Sequence, residues 1–248
     1  MIFVTSDTHQ DFSRFSNSKF PPHDMNLTKD DTVIICGDFG GIWSTKPDGP
    51  EKWWMDWLES KPYTIAFVDG NHENFDRLNN MPIETWNGGQ VHFIRPHVIH
   101  LMRGECYTIE NHKFFCFGGA SSHDIADGIL EAKDPRIADW YLKGKMFRIN
   151  HISWWENEMP TSEEMHHGAL TLEKTMPDGV DFIITHSPPS SLLKMVNPYF
   201  QPDRVNVFLQ SIKNTCPHKH WYFGHLHCDM DIPGENATCL YYDIRRIV

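Results

Sequence analysis

The stretch Val68-Asp69-Gly70-Asn71-His72-Glu73 decides how the rest of the chain is read. An apolar run over residues 64–68 stops at Gly70, and an amide oxygen and an imidazole follow back to back. We read the junction as a strand ending in a turn that presents Asn71 and His72 outward. Working outward, four other places supply ligand-type side chains: Asp7-Thr8-His9, Gly37-Asp38, Thr185-His186 and Gly224-His225-Leu226-His227. Each follows an apolar run, so the same layout recurs along the chain.

Residues 2–5, 32–36, 63–68 and 180–185 are short runs without polar alternation, the pattern of strands covered on both faces. Between the first two, a short helix and a loop are expected, broken by Pro21 and Pro22. Residues 51–60 read as a helix with Trp54 and Leu58 on one buried face, and residues 73–80 as another. Strand and helix in alternation predict a parallel sheet with crossover helices, its strand ends along one edge. Residues 90–94, 97–102, 105–109 and 113–117 are close-spaced and read as an antiparallel meander, Asn111-His112 suiting a tight turn because Asn tolerates positive φ. Thr161 with Glu164 forms a capping box, residues 204–213 read as a helix, and residues 220–223 and 237–243 as strands.

Length and composition set bounds. The chain has 248 residues, 40% of them hydrophobic and 13% aromatic, enough for a substantial core in one α/β domain spanning 1–248. Gly118-Gly119 opens a segment with little periodicity, at about 119–160, which we read as lid-like. A net charge of -11 argues against an extended nucleic-acid-binding face, which needs clustered Lys and Arg. The six cysteines include no CxxC pair and suit buried free thiols in a reducing compartment. No basic segment precedes an apolar one at the N-terminus, and no run approaches the ~18 apolar residues of a membrane span, so a cytoplasmic location is expected.

The chemistry comes from the strand ends. In open α/β sheets these converge on one crevice, so Asp7, His9, Asp38, Asn71, His186, His225 and His227 are expected as neighbours. Seven oxygen and nitrogen ligands are too many for one tetrahedral zinc and suit two metals sharing a carboxylate, for which Asp38 is placed between the halves. Two divalent cations ~3.5 to 4 Å apart can hold a bridging hydroxide and neutralise phosphate oxygens under in-line attack. His72, next to Asn71, is then available as the general acid for the leaving oxygen.

The order DxH, GD, GNH[DE], a lone His after a strand, then GHxH resembles that of the calcineurin-like metallophosphoesterases, and the likeness runs from Asp7 to His227. The resemblance implies a four-layer α/β sandwich of two mixed β-sheets flanked by helices, with a dimetal site at the strand C-terminal ends. It implies one metal on Asp7, His9, Asp38 and His227, a second on Asp38, Asn71, His186 and His225, and His72 as the acid. Gly118-Gly119-Ala120-Ser121, followed by Arg148 and Ser153-Trp154-Trp155-Glu156, also resembles a subgroup of small bacterial members. Protein phosphatases of the family carry GDxxDRG, whose second Asp supports the acid; here Gly41 stands there. The His72 partner is therefore sought in Asp69, Glu73 or a backbone carbonyl, or is missing.

The expected function is hydrolysis of a phosphomonoester or phosphodiester, on a small or nucleotide-like substrate, with Mn, Fe, Zn or Ni as the two ions. The competing reading is a catalytically silent, metal-binding interaction scaffold of the same fold. For substrate contacts we name Arg148, His123 and Trp154. Arg148 either takes a phosphate by its planar fork or pairs with Glu156, Glu158, Glu163 or Glu164. His151 also falls in the irregular segment, whereas His92, His97, His100, His166 and His167 are expected at the surface or in the meander.

Overall fold

The computed structural model describes residues 1–21 and 25–248, so the expected break at Pro22 lies outside the described residues. In chain order come β1 (Ile2–Thr5), β2 (Thr32–Ile35), α1 (Gly49–Glu59), β3 (Thr64–Phe67), α2 (Phe75–Leu78), β4 (Glu84–Trp86), β5 (Gly89–Arg95), β6 (Val98–Leu101), β7 (Glu105–Ile109) and β8 (His112–Phe117). Then follow β9 (Gly128–Leu130), α3 (Ile137–Leu142), β10 (Phe147–Ile149), α4 (Ser162–Thr175), β11 (Val180–Thr185), α5 (Ser190–Val196), α6 (Arg204–Thr215), β12 (His218–Phe223), β13 (Met230–Asp231), β14 (Ala237–Cys239) and β15 (Arg245–Arg246).

Among the described residues the strands form a seven-stranded sheet, β15-β1-β2-β3-β6-β5-β4, and a six-stranded sheet, β13-β14-β12-β11-β8-β7. Both are mixed: β1, β2, β3 and β6 run parallel in the first, β8, β11, β12 and β14 in the second. Their inner faces meet in one apolar cluster that includes Val4, Ile34, Ala66, Cys116, Ile184 and Leu240. Outside the first sheet, α1 buries Met55 and Leu58 against Phe39 and Phe67, with Trp54 only partly covered. Outside the second, Leu172 of α4, Leu192 of α5 and Leu209 of α6 pack on Ile183 and Trp221. Helix, sheet, sheet and helix stack as expected of the four-layer sandwich.

β1, β2 and β3 are buried at every residue, which explains their unbroken apolar runs. The capping box at Thr161 is formed at the start of α4.

The meander needs correction. β5 and β6 pair antiparallel in the first sheet and β7 and β8 antiparallel in the second, so the chain changes sheets between Leu101 and Glu105. Close spacing marks a hairpin but carries no information about which sheet it joins. The β7–β8 turn does use left-handed backbone, φ 47° at Glu110 and 65° at Asn111. The 73–80 helix shrinks to the single turn of α2, because Asn74 caps it by accepting from the Arg77 amide and Glu73 is engaged elsewhere. The 119–160 segment has structure of its own: β9 and β10 pair parallel, and Leu130, Phe147 and Ile149 form a small core with Ile137 and Trp140. The six thiols are free and all but that of Cys228 are buried.

Candidate metal centre

The strand ends of both sheets meet where the sequence places its polar residues. Three backbone bonds lock the loop after β1 onto the loop after β2: Asp7 N–H to Gly37 O at 3.0 Å, His9 N–H to Asp38 O at 2.9 Å and Gln10 N–H to Phe39 O at 3.2 Å. Buried Arg14 donates to the carbonyls of Ser6, Asp7 and Tyr241, satisfying acceptors that the bent loop exposes. Asp7, His9, Asp38, His225 and His227 all have left-handed backbone, with φ between 44° and 69°. Such strain in L residues concentrates at functional sites.

Glycines allow the close approaches. A Cβ on Gly37 would lie 2.3 Å from His186 Nδ1, one on Gly70 2.1 Å from Asp38 Oδ1, and one on Gly224 1.9 Å from Ser6 Oγ and 2.5 Å from Asp7 Oδ2. Each motif glycine is therefore the floor under a polar side chain from a neighbouring strand.

The ligand atoms of Asp7, His9, Asp38 and His227 all lie within 4.8 Å of one another. His9 Nε2 and His227 Nε2 stand 3.1 Å apart, and Asp38 Oδ2 lies 3.6 Å from His9 Nε2. Asp38 Oδ1 faces the other way, 3.3 Å from His186 Nε2, and accepts the His72 amide at 2.8 Å. His186 points its Nδ1 at Cys36 O at 2.8 Å, which leaves Nε2 as the outward nitrogen, and its ring packs 4.9 Å from that of His225. Asp7 Oδ1, Asn71 Oδ1 and His186 Nε2 are buried with no hydrogen-bond partner among the described residues. Buried polar atoms are rarely left so. Orphaned oxygen and imidazole donors on both sides of the Asp38 carboxylate fit divalent-cation chemistry.

The electrostatics agree. Asp38 is held far below the usual carboxylate range: burial opposes this, but His186, His72 and His9 outweigh it. Burial would depress His186, yet Asp38 beside it raises the imidazole to about 9. Burial keeps His9, His72 and His225 below the ordinary imidazole value, whereas the Asp7 carboxylate, whose Oδ1 lies 3.3 Å from its Nε2, raises His227. A cation here must displace protons, since imidazole ligates only when neutral.

A family model described as calcineurin-like phosphoesterase matches residues 1–229. The chain belongs to that family. A search of curated proteins found no match, so within this family the substrate must be argued from the site.

Two small clefts flank the centre of this phosphoesterase-family chain. One, of about 120 Å³, is lined by His9, Gln10, Gly40, Trp43 and His72. The other, of about 160 Å³, includes Ser121, His123, Phe200, Gln201, Asp203 and His225. His123 stacks on His225 at 4.4 Å, so it stands at the rim of the candidate centre. Arg148 pairs with Asp124, not with any of the four glutamates considered, and both charges act on the His72 ring. Trp154 is absent from the lining of either cleft. Trp43, stacked on His72 at 5.6 Å and packed against buried Trp155, supplies the aromatic wall instead. Nothing around Trp43 in the sequence marks it beyond its place just after Gly40 and Gly41.

Neither sequence neighbour of the Asn71-His72 pair supports His72, the candidate acid. Asp69 bonds Arg103 at 2.6 and 2.8 Å and His100 at 3.2 Å. Glu73 accepts the amides of Phe39 and Gly40, and burial beside Asp38 and Asp69 pushes its carboxyl well up. His92 and His100, expected at the surface or in the meander, lie in β5 and β6 of that meander and are buried, stacked on one another with His100 facing Asp69. Among the described residues no helix is long and apolar enough to cross a membrane.

Proposed function

We propose that the protein hydrolyses a phosphomonoester or phosphodiester of a small or nucleotide-like substrate, using two divalent ions. Asp7, His9, Asp38 and His227 hold one ion; Asp38, Asn71, His186 and His225 hold the other. The observation that carries this reading is the four-residue cluster of Asp7, His9, Asp38 and His227 within 4.8 Å. When bound, the ions supply a deprotonated water at neutral pH and neutralise phosphate oxygens.

The chain's own residues do the rest. Asp38, fixed by the His72 amide, sets the spacing of the two positions. His72 delivers the proton to the leaving oxygen. Burial holds its ring below the ordinary imidazole value, and an anionic phosphate beside it favours the protonated form. Arg148, oriented by Asp124 near His72, donates to a non-bridging phosphate oxygen, and His123 borders the opposite cleft. We read the chain as one domain, 1–248, since residues of both sheets share one core and one centre, with 119–160 covering the site.

Hydrolysis of para-nitrophenyl phosphate and bis-para-nitrophenyl phosphate with added Mn²⁺ tests the proposal. Turnover of either that disappears together with bound metal in Asp38→Ala supports it. Binding of Mn²⁺ without turnover of any phosphoester would favour the silent scaffold.

A further inference from the structure

The carboxamide of Asn71 has two ends that differ chemically but not in shape. Only the oxygen can ligate a metal, so something must choose which end faces the centre. The structure supplies a chooser from the 119–160 segment. Asn71 Nδ2 lies 3.4 Å from Ser122 Oγ, and Ser122 Oγ donates to Glu158 Oε2 at 2.6 Å. The other Glu158 oxygen, Oε1, accepts the Ser122 amide at 2.8 Å. All three residues are buried, Asn71 at 6%, Ser122 at 8% and Glu158 at 1% exposure. The two arms of the segment are themselves joined: Ala120 N–H bonds Glu158 O at 3.1 Å, and a Cβ on Gly119 would meet Pro160 at 2.6 Å.

A serine hydroxyl has one proton. The short bond to the carboxylate takes it, and a carboxylate holding two donors from Ser122 has no proton to give back. Ser122 Oγ therefore faces Asn71 with a lone pair and is satisfied only by an N–H. The amide must turn its NH2 to Ser122 and its oxygen away, and that oxygen is the buried atom without a partner.

We propose that Ser122 and Glu158 are positioning residues that fix the Asn71 carboxamide with its oxygen toward the second metal position. This rests on the reading of Asn71 as a ligand. Groups that hydrogen-bond to metal ligands contribute on the order of 10- to 100-fold in affinity. Glu158→Gln is close in shape yet reverses the relay: its carbonyl accepts the Ser122 amide, its NH2 donates to Oγ, and the hydroxyl proton is released toward Asn71.

The test is stepwise Mn²⁺ binding to metal-free protein at pH 7.5, followed by calorimetry, for the parent chain, Asn71→Ala, Ser122→Ala, Ser122→Thr and Glu158→Gln. In Asn71→Ala, Ser122→Ala and Glu158→Gln one binding step weakens by about tenfold or more while the other holds. Ser122→Thr keeps the hydroxyl and retains both steps. Parent-like binding in Ser122→Ala and Glu158→Gln, alongside a lost step in Asn71→Ala, would overturn the inference and leave the ligand assignment standing. An equal loss in both steps, or Ser122→Thr behaving as Ser122→Ala, would also overturn it, pointing to general loosening of the loop. Should Ser122→Ala fail to fold, Glu158→Gln and Ser122→Thr decide. Two intact steps in Asn71→Ala would refute the ligand assignment itself.

Discussion

Adding one methyl group at Gly70 tests whether the strand-end geometry sets the chemistry. In Gly70→Ala the new Cβ would stand 2.1 Å from Asp38 Oδ1 and 2.4 Å from the Asp38 backbone nitrogen. Ordinary contact begins near 3.4 Å, so the carboxylate and the Gly70 turn must separate by about 1 Å. The backbone nitrogen cannot rotate aside, and Asp38 is further pinned through the His72 amide. A displacement of that size at a group positioning the reacting atoms costs on the order of 100-fold in rate. Bis-para-nitrophenyl phosphate hydrolysis with saturating Mn²⁺ should show that loss in kcat/KM. Metal analysis should find less than the parent's content, and thermal unfolding should remain cooperative. A Cβ on Gly49 meets nothing within 4 Å, so Gly49→Ala is the control, expected to stay within about twofold. Parent-like activity and metal content in Gly70→Ala would refute the argument that Asp38 is held in place over this glycine.

Four further outcomes are expected. His72→Ala should lower kcat by roughly 10²- to 10⁴-fold on esters with poor leaving groups, and less on para-nitrophenyl esters, with metal content unchanged; equal losses on both kinds of ester would count against proton delivery. Arg103→Met strands the buried Asp69 carboxylate and should cost about 3 to 5 kcal/mol in urea unfolding at pH 7, and a loss below about 1 kcal/mol would sink this account of the pair. Burial would raise Asp69, but Arg103 and His100 hold it at about 2. Its contribution of about 2 kcal/mol is therefore present above the ordinary Asp value and lost as pH falls from about 4 through 2, a slope that Arg103→Met should flatten. Chelation should abolish hydrolysis and lower the unfolding temperature, with both restored by Mn²⁺; an unchanged unfolding temperature would argue against metal bound to the folded state.

The parts of the fold carried by local pattern were legible in the chain. Unbroken apolar runs located β1, β2, β3 and β11; parallel strands of one sheet end on the same side, and the two sheets stack with those ends together, so the polar residues just past them met at one edge. What depends on distant partners was hidden. Two adjacent hairpins with the same close spacing went to different sheets. The short strands β9 and β10 buried too few residues to impose a period. Asp69 and Glu73 lie beside the candidate acid in sequence, yet a turn sends each side chain to other partners. Ser122 is separated from Asn71 by 51 positions, and Glu158 from Ser122 by 36, with nothing local to join them.

The left-handed backbone at five of the seven candidate ligands sets stability against function. A non-glycine residue there costs roughly 1 to 2 kcal/mol, and glycine, despite its larger unfolded entropy, costs less. At His9, His225 and His227 a change to glycine would relax the metal-free chain by up to about 1 kcal/mol each while deleting a donor. Selection for heat resistance without metal would drift toward erasing the centre, whereas the same selection with Mn²⁺ present would preserve it. Any effort to stabilise this protein must choose its screening buffer with that in mind.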